Sequence, residues 1–364
     1  MLLIPLQNVK LGPAQPAHLW ALAFLGILVL HKEIRATAWE LFVYALFMAV
    51  ALVNTRYGGF EHIKAGEQIM KFGLIYPAFY LVGRAYGEQG DGRLPVGLKY
   101  LFVFVAVQFA VEWFKPPVLY RTTNFAVGAM HGTFLERGWL ANYVLLVAYL
   151  WYLRTDRALR ATVAFLAVNI LLALLTQSKS TLVQCGLLLL FTMRAPIGLK
   201  ISLVIAGGFA YWAYFSAQLT GDMLRVRLEE ERGLAMAETV RVLARDGWGH
   251  GFGFVESYFS RLWFSVRGLG LGANSIFCAP VDLAVIAGFA GVLFWAVFFG
   301  GLGLSSLRYM TPIAAGSIIN PFHQGELIYL FAGLLIAYGL REARAKRGAV
   351  SSKQESPPIL SRPT

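Results

Sequence analysis

Charged side chains are scarce in this chain of 364 residues. Asp, Glu, Lys and Arg together make up 14% of it, against about a quarter in soluble domains. Hydrophobic residues make up 57%, and the mean hydropathy is +0.59. This composition excludes an ordinary soluble domain. It predicts an all-α, polytopic integral membrane protein, with residues 1–364 forming a single membrane domain.

Cysteine and aspartate are also scarce, and their spacing excludes several kinds of catalytic site. Cys185 and Cys278 lie in or beside apolar runs, which predicts small buried side chains rather than a disulfide or a metal site. The five aspartates are far apart, and none forms a DxD metal pair. The sequence contains no GxxxxGK[ST] phosphate loop and no HExxH or CxxC spacing. We therefore expect an enzyme of this sequence to work without a metal and without a cofactor.

Long apolar runs fill most of the chain and predict about eleven transmembrane helices, because about 20 apolar residues cross a bilayer core. The predicted spans are 17–31, 37–54, 67–84, 96–113, 138–153, 159–176, 180–193, 198–217, 281–305, 309–320 and 324–341. The tail at 342–364 is polar and contains several prolines, which predicts a disordered cytoplasmic segment.

The orientation follows from the short loops between these spans. Four basic segments fall on one side: HKEIRA (31–36), RTDRALR (154–160), RAPIGLK (194–200) and REARAKRG (341–348). Positive charge in short loops marks the cytoplasmic side. The loops 114–137 and 218–280 are therefore predicted on the outer, periplasmic side.

The polar stretch 221–280 is the long interruption of the apolar pattern, and we expect it to be the functional part. Its seven arginines are Arg225, Arg227, Arg232, Arg241, Arg245, Arg261 and Arg267, and the aromatic residues among them are Trp248, Phe252, Phe254, Tyr258, Phe259, Trp263 and Phe264. Loops of this length without a function are uncommon. Guanidinium groups beside aromatic faces suit anionic, sugar-bearing ligands.

Residues 234–246 of this stretch have helical periodicity. The predicted apolar face consists of Met236, Val240, Leu243 and Ala244, and the polar face of Glu238, Arg241 and Arg245. Two interpretations stay open. The helix is interfacial and its arginines meet phospholipid headgroups, or Arg241 and Arg245 clamp a diphosphate through paired hydrogen bonds.

Two polar positions at predicted helix ends are further candidates. Lys179 lies in the polar cluster 177–181, where it either snorkels or takes part in a site at the membrane mouth. Asp282 begins a long apolar helix, where it either stabilises the first turn or acts as a carboxylate base. The histidines predicted on the outer side are His131, His250 and His323, and each is expected to be solvated rather than catalytic.

Three stretches resemble segments of the O-antigen ligase and O-antigen polymerase-like membrane glycosyltransferases (WaaL and Wzy type). LLTQSKSTLV (174–183) resembles a helix opening that usually reads Ser-Arg. ETVRVLARDGWGHGFGF (238–254) resembles the arginine-containing helix of the large periplasmic loop and its G-x-G turn. NSIFCAPVDLAVIAGFAGVLF (274–294) resembles the end of that loop, with its GxxG pattern at Gly288 and Gly291. HGTFLERGWLANYVLL (131–146) is weakly similar to a further segment.

The chain departs from the family pattern at two points. The Ser-Arg pair reads Ser178-Lys179, and lysine keeps the charge but lacks the bidentate fork of arginine. Ligases usually carry a histidine shortly before the GxxG helix, where this chain has Asn274-Ser275. The second departure favours a polymerase over a ligase.

The resemblance implies transfer of a glycan from an undecaprenyl diphosphate carrier, at the periplasmic face of the bacterial inner membrane. The expected catalytic residues are Arg241, Lys179 and Asp282, and the expected diphosphate- or glycan-binding residues are Arg245, Arg121, His250, Arg261, Tyr258 and Trp263. The acceptor is a growing glycan for a polymerase, and lipid A-core or a protein for a ligase. A third reading is a transporter or flippase for the lipid-linked glycan, although transporters place charges near the midplane of their spans.

The other expected partners are the lipid bilayer and further membrane proteins of polysaccharide assembly. We expect no nucleic-acid partner.

Overall fold

The computed structural model describes residues 15–57, 64–89, 94–114, 130, 134, 137–216, 225–266, 269 and 275–354. Every regular element in these ranges is helical, which confirms the all-α fold class. The helices are α1 (Pro16–Leu30), α2 (Ala38–Tyr57), α3 (Ala65–Met70), α4 (Tyr76–Gln89), α5 (Leu94–Phe114), α6 (Arg137–Arg154), α7 (Leu159–Thr176), α8 (Lys179–Thr192), α9 (Ile197–Ser216), α10 (Arg232–Arg245), α11 (Phe254–Phe259), α12 (Ala279–Phe298), α13 (Leu307–Ile319) and α14 (Glu326–Gln354).

Three shorter turns complete the helical elements. A π-helical turn, Lys71–Ile75, joins α3 to α4 into one rod, and a second one, Val226–Glu230, precedes α10. A 3-10 turn, Phe322–Gln324, lies between α13 and α14. We call residues 320–325 the connector, because they link these two helices.

Within the described residues, three helices, α2, α7 and α12, are long and apolar enough to cross a membrane. Shorter apolar helices are Pro16–Leu30, Lys179–Thr192 and Ile197–Phe209. Each predicted span coincides with a helical rod, although the span predicted at 281–305 ends as a helix at Phe298. Membrane crossing by the full set of eleven stays a prediction.

The C-terminal helix is longer than the sequence indicates. It continues to Gln354 instead of giving way to a disordered tail at residue 342. Glu342 explains part of this extension, since it accepts a hydrogen bond from Arg308 at 2.5 Å and lies 3.2 Å from Lys346 Nζ. Residues 355–364 lie outside the described ranges.

Helices α4 and α14 pack tightly along a seam of glycines. A Cβ on Gly83 would overlap the Leu330 carbonyl, and one on Gly87 would overlap Ala337. Gly333 lies in the same seam and would meet the α4 backbone. Because the residue numbers rise together along both helices, α4 and α14 run parallel.

Other contacts show which helices run in opposite directions. Phe47 of α2 stacks on Phe294 of α12 at 4.5 Å, whereas Asn54 reaches the Ile286 carbonyl at 3.4 Å, so these two helices are antiparallel. Helices α8 and α13 are also antiparallel, since Asn320 follows α13 and contacts Ser180 in the first turn of α8. Helices α2, α7 and α13 end at one end of the bundle, and α4, α8, α12 and α14 begin there. We call it the loop end.

A buried ion network closes the opposite end of the bundle. Arg84 is fully buried and donates to Glu40 Oε1 and to Glu88 Oε1, each at 2.9 Å. Tyr80 donates to Glu40 as well, and Arg35 donates to Glu88 at 3.2 Å. Buried charges of this kind need every partner, because removal of one leaves an uncompensated charge in the interior.

Candidate functional site

The G-x-G turn of the long loop docks onto a break in α12. Gly288 has φ 55° and ψ −133°, which interrupts the helix and releases carbonyls from their usual partners. The Val285 carbonyl accepts a hydrogen bond from His250 N at 2.6 Å, and the Ile286 carbonyl accepts one from Gly251 N at 2.9 Å. The break in the membrane helix therefore anchors the loop.

The same turn is held from the α2 side. Its three contacts there are Asn54 Nδ2 to the Trp248 carbonyl at 2.8 Å, Phe252 N to Thr55 Oγ1 at 2.8 Å and Gly253 N to Gln68 Oε1 at 2.7 Å. Gly251 has φ 85°, and a Cβ there would overlap the Thr55 backbone. These contacts explain why the turn is rich in glycine.

Asp282 lies at the centre of the buried polar groups. Its Oδ2 atom is 3.3 Å from Nε2 of His323, and both side chains are fully buried. Its Oδ1 accepts a hydrogen bond from Ile276 N at 2.6 Å, and Ser275 donates its hydroxyl to Oδ2. The carboxylate thus joins the segment before α12 to the connector.

His323 is fully buried, so the expectation that it is solvated is wrong. The connector folds under its neighbours, and Tyr329 donates its hydroxyl to the His323 carbonyl at 3.0 Å. Burial lowers the pKa of His323 to about 3, so the imidazole is neutral near pH 7. Its Nδ1 atom is buried and has no hydrogen-bond partner. Its Nε2 atom faces Asp282 Oδ2 and also lies 3.2 Å from Nε2 of Gln324. In the tautomer that donates from Nε2 to Asp282, the ring presents a lone pair at Nδ1.

The connector also meets Arg232 and the start of α8. Asn320 donates to Ser180 Oγ at 3.1 Å. Arg232 donates to the Ile319 carbonyl at 2.7 Å and lies 3.4 Å from Asn320 Oδ1, with its guanidinium 5.3 Å from the centre of the Phe277 ring. The sequence offers no sign that Arg232, which follows an acidic run, differs from the other arginines of the loop.

Lys179 is the first residue of α8 and is partly buried. Its neighbour Ser180 accepts a hydrogen bond from Asn320, so the start of α8 lies against the connector. One turn further, Gln184 is fully buried, and neither its Oε1 nor its Nε2 has a hydrogen-bond partner. The positive charge of Lys179, the N-terminal end of α8 and the unpaired Gln184 amide together form an environment suited to an anionic ligand.

Arg241 lies away from this buried cluster. It donates to Glu238 Oε2 at 2.7 Å, and its side chain is 62% exposed. Nine residues of helix separate it from Arg232, which is about 14 Å along the axis. The structure therefore does not bring Arg241 together with Asp282.

The helix predicted at 234–246 is confirmed at Arg232–Arg245, but the face that it buries against the protein is not the predicted apolar face. The buried residues are Ala235, Glu238, Thr239 and Val242, whereas Val240 is 56% exposed. Glu238 tolerates burial because Tyr258 donates its hydroxyl to Oε1 at 2.5 Å and Arg241 pairs with Oε2. Burial and the contact with Glu238 raise the pKa of Tyr258 to about 12.

The remaining predicted binding residues lie on the loop surface or outside the described ranges. Arg245, Arg261 and Trp263 are exposed, and Trp263 most of all at 92%. His250 is partly buried, contrary to the expectation of a solvated ring. It stacks on Phe254 at 4.3 Å, and burial lowers its pKa. Arg121 and His131 lie outside the described residues.

Both cysteines are buried and unpaired, as expected. In the part of the chain that the structure describes, no three His, Cys, Asp or Glu side chains are grouped so that they could hold a metal ion. Whether the protein needs a metal ion for activity is therefore a question for an activity measurement. Comparison of the chain with protein-family models, with curated proteins and with solved structures finds no match in any of the three.

Proposed function

We propose that this protein is a polysaccharide polymerase, which transfers glycan repeat units from an undecaprenyl diphosphate carrier to an acceptor glycan. One observation carries the proposal. The buried pair of Asp282 and His323 lies at the loop end of the bundle, and the connector links it to Arg232 and to the start of α8 with Lys179. A base and cations thus meet where a lipid diphosphate at a membrane surface would react.

His323 is the proposed general base. The neutral imidazole accepts the proton of the acceptor hydroxyl at Nδ1, while Nε2–H faces Asp282. The carboxylate stabilises the imidazolium that forms, as an acidic partner does for a histidine base elsewhere. Because His323 is fully buried in this conformation, the acceptor reaches Nδ1 only when the connector moves relative to its neighbours. The same movement hydrates the ring and returns its pKa from about 3 towards the ordinary histidine value, at which the imidazole is an effective base.

The bond changes are those of a direct displacement. The acceptor oxygen forms a bond to the anomeric carbon, and the bond from that carbon to the diphosphate oxygen breaks with its electron pair on the diphosphate. Arg232, Lys179 and the N–H groups at the start of α8 stabilise the departing charge. Arg241 and Arg245, on the exposed face of α10, remain the proposed first contacts for the donor.

The proposed orientation places the loop end in the periplasm and the protein in the bacterial inner membrane. It is supported by the basic segments 31–36, 154–160 and 194–200, which lie at the opposite end of the bundle. Cysteine labelling tests it at two exposed positions. Ser265→Cys should react with a membrane-impermeant thiol reagent in intact spheroplasts, and Ala345→Cys should not. The opposite labelling pattern would reject the orientation.

Deletion of the protein from its host, followed by sizing of the surface polysaccharide on a gel, tests the function itself. A polymerase predicts single repeat units on the lipid acceptor. Long chains retained on the carrier lipid would instead indicate a ligase, the second candidate, favoured by the same resemblance. Carrier-linked repeats that accumulate at the cytoplasmic face would indicate a flippase.

A further inference from the structure

An aromatic groove lies between α2 and the α3–α4 rod. Its cavity volume is about 100 Å³, and together with the space open to the surroundings the groove amounts to about 520 Å³. Its walls are formed mainly by seven rings, those of Tyr44, Phe72, Tyr76, Tyr80, Phe294, Phe298 and Tyr329. Since Phe72, Tyr76 and Tyr80 follow each other at intervals of four residues, the groove runs along about 12 Å of the rod.

The side chains at one end of the groove also support the connector. The rings of Tyr76 and Tyr329 stack at 4.3 Å with an angle of 11° between their planes. Their hydroxyls point the other way: Tyr76 donates to the Gln324 carbonyl at 2.7 Å, and Tyr329 donates to the His323 carbonyl at 3.0 Å. The same two side chains therefore line the groove with their rings and position the proposed base with their hydroxyls.

The mouth of the groove opens onto an apolar surface. Leu41, at the rim, is 55% exposed, and its neighbour Phe42 is exposed as well. Helix α2, which carries Leu41, is one of the three helices long and apolar enough to cross a membrane. At the far end, Glu40 is already bound by Arg84 and is not available to a headgroup. The occupant is therefore a hydrocarbon chain that enters sideways from the bilayer.

We propose that the groove holds the part of the polyprenyl chain nearest the diphosphate, and that Tyr76 and Tyr329 make this chain a requirement for efficient transfer. The inference rests on the proposed function. A chain packed against the two rings fixes them, and their hydroxyls in turn fix the carbonyls of His323 and Gln324. The groove is continuous with the connector, and the reacting diphosphate of the proposed mechanism lies next to the connector. The groove is therefore assigned to the chain of the donor. Tyr76 and Tyr329 are thus positioning residues.

The requirement for the polyprenyl chain is tested with two donors. Both carry the same glycan diphosphate, one on a full-length chain and the other on a chain of two isoprene units. For the wild-type protein we expect kcat to be lower with the short chain. Tyr76→Phe keeps the groove and removes one hydrogen bond, so kcat with the long chain should fall roughly five- to tenfold, towards the value for the short chain. An unchanged advantage of the long chain in Tyr76→Phe would overturn the role of the tyrosines.

Occupancy is measured without turnover by photolabelling with a diazirine-bearing undecaprenyl diphosphate that lacks the glycan. The label should map to α4 or α12, and excess undecaprenyl diphosphate should compete whereas phosphatidylglycerol should not. Leu81→Trp, which fills the groove from its rim, should lose the label, and Ala36→Phe gives a second filling variant. Leu74→Trp, on the exposed side of the same rod, is the matched control and should keep it.

The labelling experiment tests lipid binding in the groove separately from the proposed chemistry at His323. His323→Gln should be labelled like the wild type, so a failure of the proposed chemistry leaves the groove result standing. Equal competition by phosphatidylglycerol, or labelling that survives both filling variants, would show that the groove holds an ordinary bilayer lipid or no lipid at all. Either result would overturn the inference and leave the proposed base untouched.

Discussion

The Nε2 atom of His323 lies 3.3 Å from Oδ2 of Asp282, and both side chains are fully buried. The two residues come from different parts of the bundle, the connector and the first turns of α12. Their contact ties the end of the long loop to the turn between α13 and α14. Removing one partner of a buried hydrogen bond leaves the other unsatisfied and typically costs about 1–3 kcal/mol, so the pair is expected to be structural as well as chemical.

Arg232 is expected to matter more than its neighbours in the loop. Arg232→Ala removes the contacts with the Ile319 carbonyl and with Asn320. We expect kcat for glycan transfer to fall by at least about tenfold, since a positioned charge is lost beside the connector. Arg225→Ala is the matched control. Arg225 is exposed, and its ion pair in the described structure is with Glu229, which is exposed as well. Equal activity of the two variants would remove Arg232 from the site.

Arg241 separates a role in donor binding from a structural one. Arg241→Lys keeps a cation beside Glu238 but loses the planar fork that holds two phosphate oxygens. We expect it to lose most of the turnover while its melting temperature stays near that of the wild type, and Arg241→Ala to lose essentially all turnover. Full activity of Arg241→Ala would show that the exposed arginines of α10 contact lipid headgroups instead.

The helical fold and the position of α10 follow from the sequence, because apolar runs and periodic patterns are local signals. The role of Asp282 as a site residue is a sequence prediction too, but its partner His323 is not. That histidine is in a short turn with no local sign of burial, and only the packing of α12, α13 and α14 brings it to Asp282. The sequence does not predict the buried face of α10 for a related reason. Glu238 can be buried because Tyr258, on another helix, donates a hydrogen bond to it.

The glycine seam between α4 and α14 predicts a specific loss of stability. A Cβ on Gly83 would overlap the Leu330 carbonyl, and overpacking of this kind typically costs about 1–3 kcal/mol. Gly83→Ala should therefore lower the melting temperature in detergent. Gly207→Ala on α9, where a Cβ would meet nothing within 4 Å, should leave it unchanged. The same melting temperature for both variants would argue against the close parallel packing.

Burial of His323 predicts a pH dependence of stability. Burial lowers the pKa of His323 in the folded protein to about 3, whereas the unfolded chain has an ordinary histidine pKa of about 6.5. Below about pH 6.5 the unfolded state binds a proton at His323 that the folded state does not, so the contribution of His323 to the free energy of unfolding falls as the pH drops towards 3. Asp282 is the titratable group that faces the ring. Melting temperatures between pH 7 and pH 5 should fall less for His323→Gln than for the wild type; parallel curves would contradict this.

The most direct test of the account is the rate of glycan transfer by purified His323→Gln, with an undecaprenyl diphosphate-linked repeat unit as donor. A general base typically contributes about a hundredfold or more, so we expect kcat to fall at least that far while the elution volume on size exclusion stays that of the wild type. Asp282→Asn should show a similar loss, and His31→Gln, exposed at the opposite end of the bundle, should show none. Transfer by a folded His323→Gln protein at close to the wild-type rate would contradict the proposed active site.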